Sequence, residues 1–179
     1  MSAFESDSDR THPFDFLIIQ DKFISLFSDA DFLAATVARL DALGYQLVVL
    51  DAALWMDSGA VCRDFAVALG FPRQDERSLD ALEDYFYDVA AREYGDPNAT
   101  GLAVVLEHYD QFAHADPSIA QALLSLFART ARRGSLLGHR MMCLVHTDDT
   151  ELSFPSIYEV PIQWASGFWP YSEESQLSE

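Results

Sequence analysis

Positive charge is scarce in this chain. Eleven lysines and arginines stand against 29 aspartates and glutamates in 179 residues, for a net charge of −18. Lys22 is the only lysine. So little basic surface excludes nucleic acid and anionic membrane as direct partners, because holding phosphates takes clustered Lys and Arg. Such an excess favours a cationic partner, or serves solubility alone. Cysteine is scarce too. Cys62 and Cys143 belong to no CxxC pair and sit in apolar stretches, which predicts buried thiols in a reducing compartment rather than a disulfide. No stretch is long and apolar enough to span a membrane. Residues 1–12 are acidic and polar, unlike a signal peptide, and read as a disordered arm. The expected location is the cytoplasm.

Catalytic signatures are also missing. There is no P-loop and no GxGxxG, and Ser78, Ser125 and Ser166 lie in no GxSxG elbow. His108 and His114 are six apart and His139 and His146 seven apart, spacings that match no metal motif. Glu107-His108 ends an expected strand, where a Glu–His pair could act as base and acid in phosphodiester cleavage. Without partner residues the motif is weak. The expectation is a protein that is not an enzyme and holds no cofactor or metal.

What remains is a well-supplied core. Half of the residues are hydrophobic, enough for one domain with an added subdomain. Short apolar strands alternate with amphipathic helices, which predicts an α/β fold with a parallel sheet flanked by helices. Residues 14–20 read as a strand and 23–27 as a second one. A helix capped by Ser28 or Asp29 should run to Leu43 and end at Gly44, with Leu33, Val37 and Leu40 as its apolar stripe. Residues 45–50 are a near-continuous apolar strand suited to burial on both faces. Segment 13–44 should extend the sheet or cover its edge. Asp57 or Ser58 opens the next helix, which Gly70 ends, and an exposed loop with Pro72 follows. Residues 102–106 and 141–146 are further buried strands, with a helix between them opened by Pro117 and Ser118. The tail, 148–179, is aromatic (Phe154, Tyr158, Trp164, Phe168, Trp169, Tyr171) and reads first as a strap over the core or sheet edge. An exposed aromatic binding surface is the other reading.

One stretch dominates the polar pattern: SLDALEDYFYD, residues 78–88. Leu79, Leu82, Phe86 and Val89 recur at three and four, one side of a helix. Asp80, Asp84 and Asp88 recur at four on another side, with Glu83 and Tyr87 beside them. Aligned like charges destabilise a helix by about 0.2–0.5 kcal/mol per pair. Two readings are open: a solvated face of an acidic protein, or a surface made to meet something basic. Within 73–96 eight acids face three arginines. The two phenols beside the carboxylates favour the second reading.

The motif LDALxD at 79–84, preceded by LGFP at 69–72, resembles the barnase-inhibitor (barstar) family. So do VVLD at 48–51, VVLE at 104–107 followed by Phe112 (a strand and the turn after it), LSLF at 124–127 leading to Gly134, and MCLV at 142–145. Their order and spacing cover roughly 45–147, which leaves 13–44 as an N-terminal addition. The resemblance implies a barstar-like domain over 13–147 and an intracellular inhibitor that blocks a basic ribonuclease with an acidic helix. It places Asp80 and Asp84 at the two helix aspartates that enter the nuclease cleft. It puts Gln74 and Asp75 in a contact loop that usually brings an aromatic residue, lacking here. Together with Glu83, Tyr87 and Asp88 these form the implied partner-binding set. Two positions depart: Glu83 stands where barstar itself has tryptophan, and Arg129 where the next helix offers a glutamate. Glu107 matches a strand-end glutamate that is not catalytic in the family. The alternative is a barstar fold turned to a non-nuclease partner through the aromatic tail.

Overall fold

A computed structural model describes residues 14–20, 22–72, 78–155 and 162–165. The arm at 1–12, the loop with Gln74 and Asp75, and most of the aromatic tail lie outside the described residues.

The elements run α1 (Phe14–Ile19), β1 (Ile24–Phe27), α2 (Ala30–Ala42), β2 (Gln46–Asp51), a 3-10 turn (Ala52–Leu54), α3 (Ser58–Leu69) and α4 (Leu79–Ala90). Then follow β3 (Gly101–Glu107), α5 (Tyr109–Ala115), α6 (Pro117–Leu136), β4 (Arg140–His146) and β5 (Gln163–Trp164). The helix starts follow capping chemistry. Asp29, Asp57, Ser78 and Asp116 each accept a backbone N–H of the first turn through the side chain, and Pro117 fills a position that needs no donor. Gly70 ends α3 in the left-handed conformation, φ 73°.

The five strands form one sheet in the order β2-β3-β4-β1-β5, every pair parallel. Strands 46–51 and 101–107 lie side by side, Val48 opposite Val104. β1 adds to the far side of β4, so the segment before residue 45 enlarges the sheet. Two cores sandwich the sheet. Val104, Leu106, Cys143 and Val145 meet Val61, Phe65, Leu82, Phe86 and Phe127 of α3, α4 and α6. Ala103, Val105, Met142 and Leu144 meet Ile18, Leu33 and Leu40 of α1 and α2. β3 and β4 are buried on both faces, which is why their sequences are unbroken apolar runs. Gly101 must be glycine: a Cβ there would collide with the Arg140 carbonyl and the Tyr45 ring.

Three expectations fail. Residues 14–19 are a helix, not a strand. Four residues between 19 and 24 cannot carry the crossover that a parallel neighbour needs. The inward positions are Asp15 and Ile18, with Phe14 and Ile19 packed beside them, a spacing of three to four rather than two. Second, β2 is an edge strand, so its apolar run is not buried on both faces: Val49 is 53% exposed. Third, the segment after β3 forms a full short helix, α5, where the sequence suggested only a turn. Both cysteines are buried thiols without a disulfide.

Candidate functional site: an acidic helix and its basic neighbour

α4 is organised by its apolar side. Leu82, Phe86 and Val89 are buried, Leu79 half-buried. The Phe86 ring meets Phe65 at 5.1 Å and Phe127 of α6 at 5.7 Å, both edge-on, so the helix is pinned in rotation. Stacking of Tyr85 on Phe71 at 4.6 Å fixes its other flank. With that side buried, helical geometry sends the opposite side outward. Asp80 and Asp84 are exposed and Asp88 half-buried, and among the described residues none of the three forms an ion pair.

Glu83 and Tyr87 behave differently. They lie on the flank facing α6. Arg129 donates from Nη2 to Glu83 Oε2 at 2.7 Å, and the Tyr87 hydroxyl donates to Glu83 Oε1 at 2.9 Å. The Glu83 and Arg129 side chains keep 20% and 33% of their exposure, so the pair is half-shielded from water. The hydrogen bond to Glu83 raises the Tyr87 phenol above its ordinary range and keeps it a donor. One turn on, the Arg133 guanidinium lies over the Tyr87 ring, 5.0 Å from its centre. Arg132 is exposed and forms no ion pair among the described residues. The two departures from the expected family pattern are therefore one feature: the carboxylate brought by Glu83 is consumed by the cation brought by Arg129. In the sequence they stand as separate changes, since the helix crossing that joins positions 46 apart leaves no periodic signal.

Three histidines, His108, His114 and His146, gather at the carboxyl end of the sheet, and His139 lies at the opposite end, just before β4. His108 ends β3 in the left-handed conformation, φ 51°, and donates from Nδ1 to Asp51 Oδ1 at the end of β2, at 2.9 Å. This bond raises His108 and lowers Asp51 from their ordinary values. The His146 ring meets the His108 ring edge-on at 6.0 Å. His114 pairs with Asp149 at 3.0 Å. His139 is buried and its Nδ1–H meets the Val89 carbonyl at 2.9 Å; burial lowers its pKa. Each of these four has a carboxylate, a carbonyl or an aromatic neighbour that accounts for it. No group of three or more His, Cys, Asp or Glu among the described residues could hold a metal ion. No described helix is long and apolar enough to cross a membrane.

Comparison with known proteins bears on the fold and the family. Among solved structures, the chain is similar to the Aeropyrum pernix ORC2 protein in its ADPNP–ADP complexes, with a TM-score of 0.53 and 16% identity. The match covers 85% of this chain and 44% of that one, so the chain spans less than half of its length. At that identity the likeness is one of fold alone. No curated protein matches the chain. The family model for Barstar (barnase inhibitor) matches residues 45–146, more than half of the chain, from the start of β2 to the end of β4 and including α4 and α6. The chain belongs to the barstar family.

Proposed function

We propose that the chain is an intracellular inhibitor of a basic ribonuclease, with α4 as the plug. The observation that carries this is the row Asp80–Asp84–Asp88, its first two members exposed and the third half-buried, set on a helix pinned in rotation by Phe86 and inside the family-matched region. A ribonuclease cleft is built to hold phosphates, and spaced carboxylates on one rigid face imitate them. Complementary charge speeds association, a rule for which the barnase–barstar pair is itself the standard case. Gln74 and Asp75, between α3 and α4 in the sequence, complete the proposed partner-binding set by family resemblance alone. Tyr87 contributes its ring edge and Glu83 fixes it.

The partner is a protein. Nucleic acid and anionic lipid would be repelled by a chain of net charge −18. The ORC2 protein forms complexes with ADPNP and ADP, but nucleotide binding finds no support in the residues of this chain. The β1–α2 connection is Ser28-Asp29, and the Asp29 carboxylate itself takes the first N–H groups of α2, where a phosphate would bind. Family members act as inhibitors, and the same role here requires no catalytic group of this chain's own.

The test is capture on the immobilised chain from the lysate of the source cell, followed by an RNA-cleavage assay. A small basic protein that cleaves RNA after release, and not while bound, supports the reading. Truncating one member of a desolvated charge pair costs about 2–5 kcal/mol, a range drawn partly from barnase–barstar. Asp84→Ala, at the middle of the row, should therefore abolish capture through faster dissociation. Asp96→Ala, on the exposed loop after α4, should only slow association and lose its effect in salt. A captured partner without ribonuclease activity, or equal and salt-erased effects of the two substitutions, refutes the inhibitor reading.

A further inference from the structure

The face that α4 presents does not end at its carboxylates. Moving across it towards α6, the order is Asp84 and Asp80, then the Glu83–Tyr87 flank, then Arg129, Arg133 and Arg132. The change of sign falls at the Glu83–Arg129 ion pair, 2.7 Å long. Arg133 is held near this seam by the Tyr87 ring. Arg132 is exposed on the same stretch of α6. The surface is bipolar, an acidic half and a basic half fixed side by side on two helices that share the Phe86–Phe127 contact.

We propose that the basic half is a specificity filter: the partner carries a carboxylate group opposite Arg132 and Arg133, flanking the cationic cleft that receives Asp80 and Asp84. This rests on the inhibitor reading and narrows it. A uniformly cationic cleft would meet Arg132 and Arg133 with like charge, and such contacts discriminate against a partner. The acidic half gives attraction to basic ribonucleases in general. The basic half removes those without an acid at the flank. Glu83 has two tasks in this arrangement. It neutralises Arg129, the arginine at the seam itself, and by holding the Tyr87 hydroxyl it sets the ring on which Arg133 rests.

Barnase is the probe, as the basic ribonuclease that the family is named for inhibiting. Its affinity for the intact chain is measured by calorimetry and by inhibition of RNA cleavage, at low and moderate salt. It is then measured for Arg132→Glu, for Arg132→Glu/Arg133→Glu, and for each of these combined with Asp84→Ala. Arg132→Glu touches no ion pair among the described residues, so it controls for any disturbance of the Tyr87 contact by the double change, and circular dichroism checks the fold. The expected result is a gain of several-fold for the single reversal and at least tenfold for the double. The gain should be larger at low salt, and Asp84→Ala should cancel it. No gain on reversal, whether the intact chain binds barnase or not, overturns the filter. If reversal is without effect while Asp84→Ala still weakens binding, the filter alone fails and the acidic plug stands. If the lysate experiment yields no ribonuclease, the inhibitor reading fails independently of barnase.

Discussion

The Glu83–Arg129 pair can be weighed by a double-mutant cycle of Glu83→Gln and Arg129→Met. A hydrogen bond between charged groups is worth about 1.5–3 kcal/mol when shielded. Here the side chains retain 20% and 33% of their exposure, and water recovers part of the loss, so each single change should cost about 1–2 kcal/mol. Glutamine still accepts from the Tyr87 hydroxyl, and methionine keeps most of the arginine stem, so neither substitution opens a cavity. In the double variant neither charge of this pair remains. The two losses should therefore fall short of additivity by about 1 kcal/mol. Urea unfolding reads this directly: with a slope of about 1–3 kcal/mol/M, each single change shifts the midpoint by roughly 0.3–2 M. A half-shielded pair in direct contact is screened little by salt, so the coupling should persist at high ionic strength. Additivity within about 0.3–0.5 kcal/mol would show that the two residues do not act as a unit. The seam would then be an accident of two surface side chains.

Two further outcomes are expected. Asp15, 3% exposed, accepts from Tyr45 Oη at 2.7 Å and from Arg140 Nη1 at 2.6 Å, joining α1 to the starts of β2 and β4. Breaking a buried pair costs about 3–5 kcal/mol, and because Arg140 retains 20% of its exposure, Asp15→Ala should cost about 3 kcal/mol in urea unfolding; a loss below about 1 kcal/mol would mean that α1 is not anchored by this charge. The Asp51–His108 bond should be visible in an NMR titration: His108 titrates above its ordinary 6.5, and Asp51→Asn should bring it down towards that value. Because His108 is raised and Asp51 lowered from 3.8, the pair's contribution is fully present between about 3.8 and 6.5. It is lost as pH rises through the folded value of His108 or falls through that of Asp51. Both side chains are about 40% exposed, so the effect on stability is small, and an unchanged His108 midpoint in the variant would contradict the assignment.

Legibility in the sequence followed the range of the interactions. α2, α3, α4 and α6 could be read because their caps and apolar spacing are local: Asp29, Asp57, Ser78 and Asp116 sit at the starts, Gly44 and Gly70 at or just past the ends. β3 and β4 could be read because a strand buried on both faces must be continuously apolar. β2 has the same composition, yet it lies at the edge, since strand order depends on which crossovers form and not on the strand itself. α1 misled because Phe and Ile favour strands; its helix is set by Asp15 meeting Tyr45 and Arg140, 30 and 125 residues away. At the site the same rule held. The outward row Asp80, Asp84 and Asp88 follows from helical period alone. That Glu83 and Tyr87 turn towards α6 and meet Arg129 and Arg133 follows only from the helix crossing.

The charge of the chain and the charge of its site answer different questions. A net charge of −18 attracts any cationic protein and would do so with its acids scattered at random. Selection needs charges fixed in position, and fixing requires a core behind them. Phe86, fully buried between Phe65 and Phe127, supplies that for α4 and carries the constraint across to α6. The arginines gain meaning from the same packing. On a free helix Arg129, Arg132 and Arg133 would be no more than a mild offset to an acidic surface. Placed one helix away from Asp80 and Asp84, with Arg129 neutralised and Arg133 resting on Tyr87, they become a boundary. A partner that satisfies only the acidic side leaves two arginines against its own cations. A partner that matches both sides has its register fixed as well as its affinity. On the proposed reading, Glu83 and Arg129 mark a change of target rather than a loss of function. On that same reading the acidic half of the site is intact, since Asp80 and Asp84 both lie on the exposed face of α4.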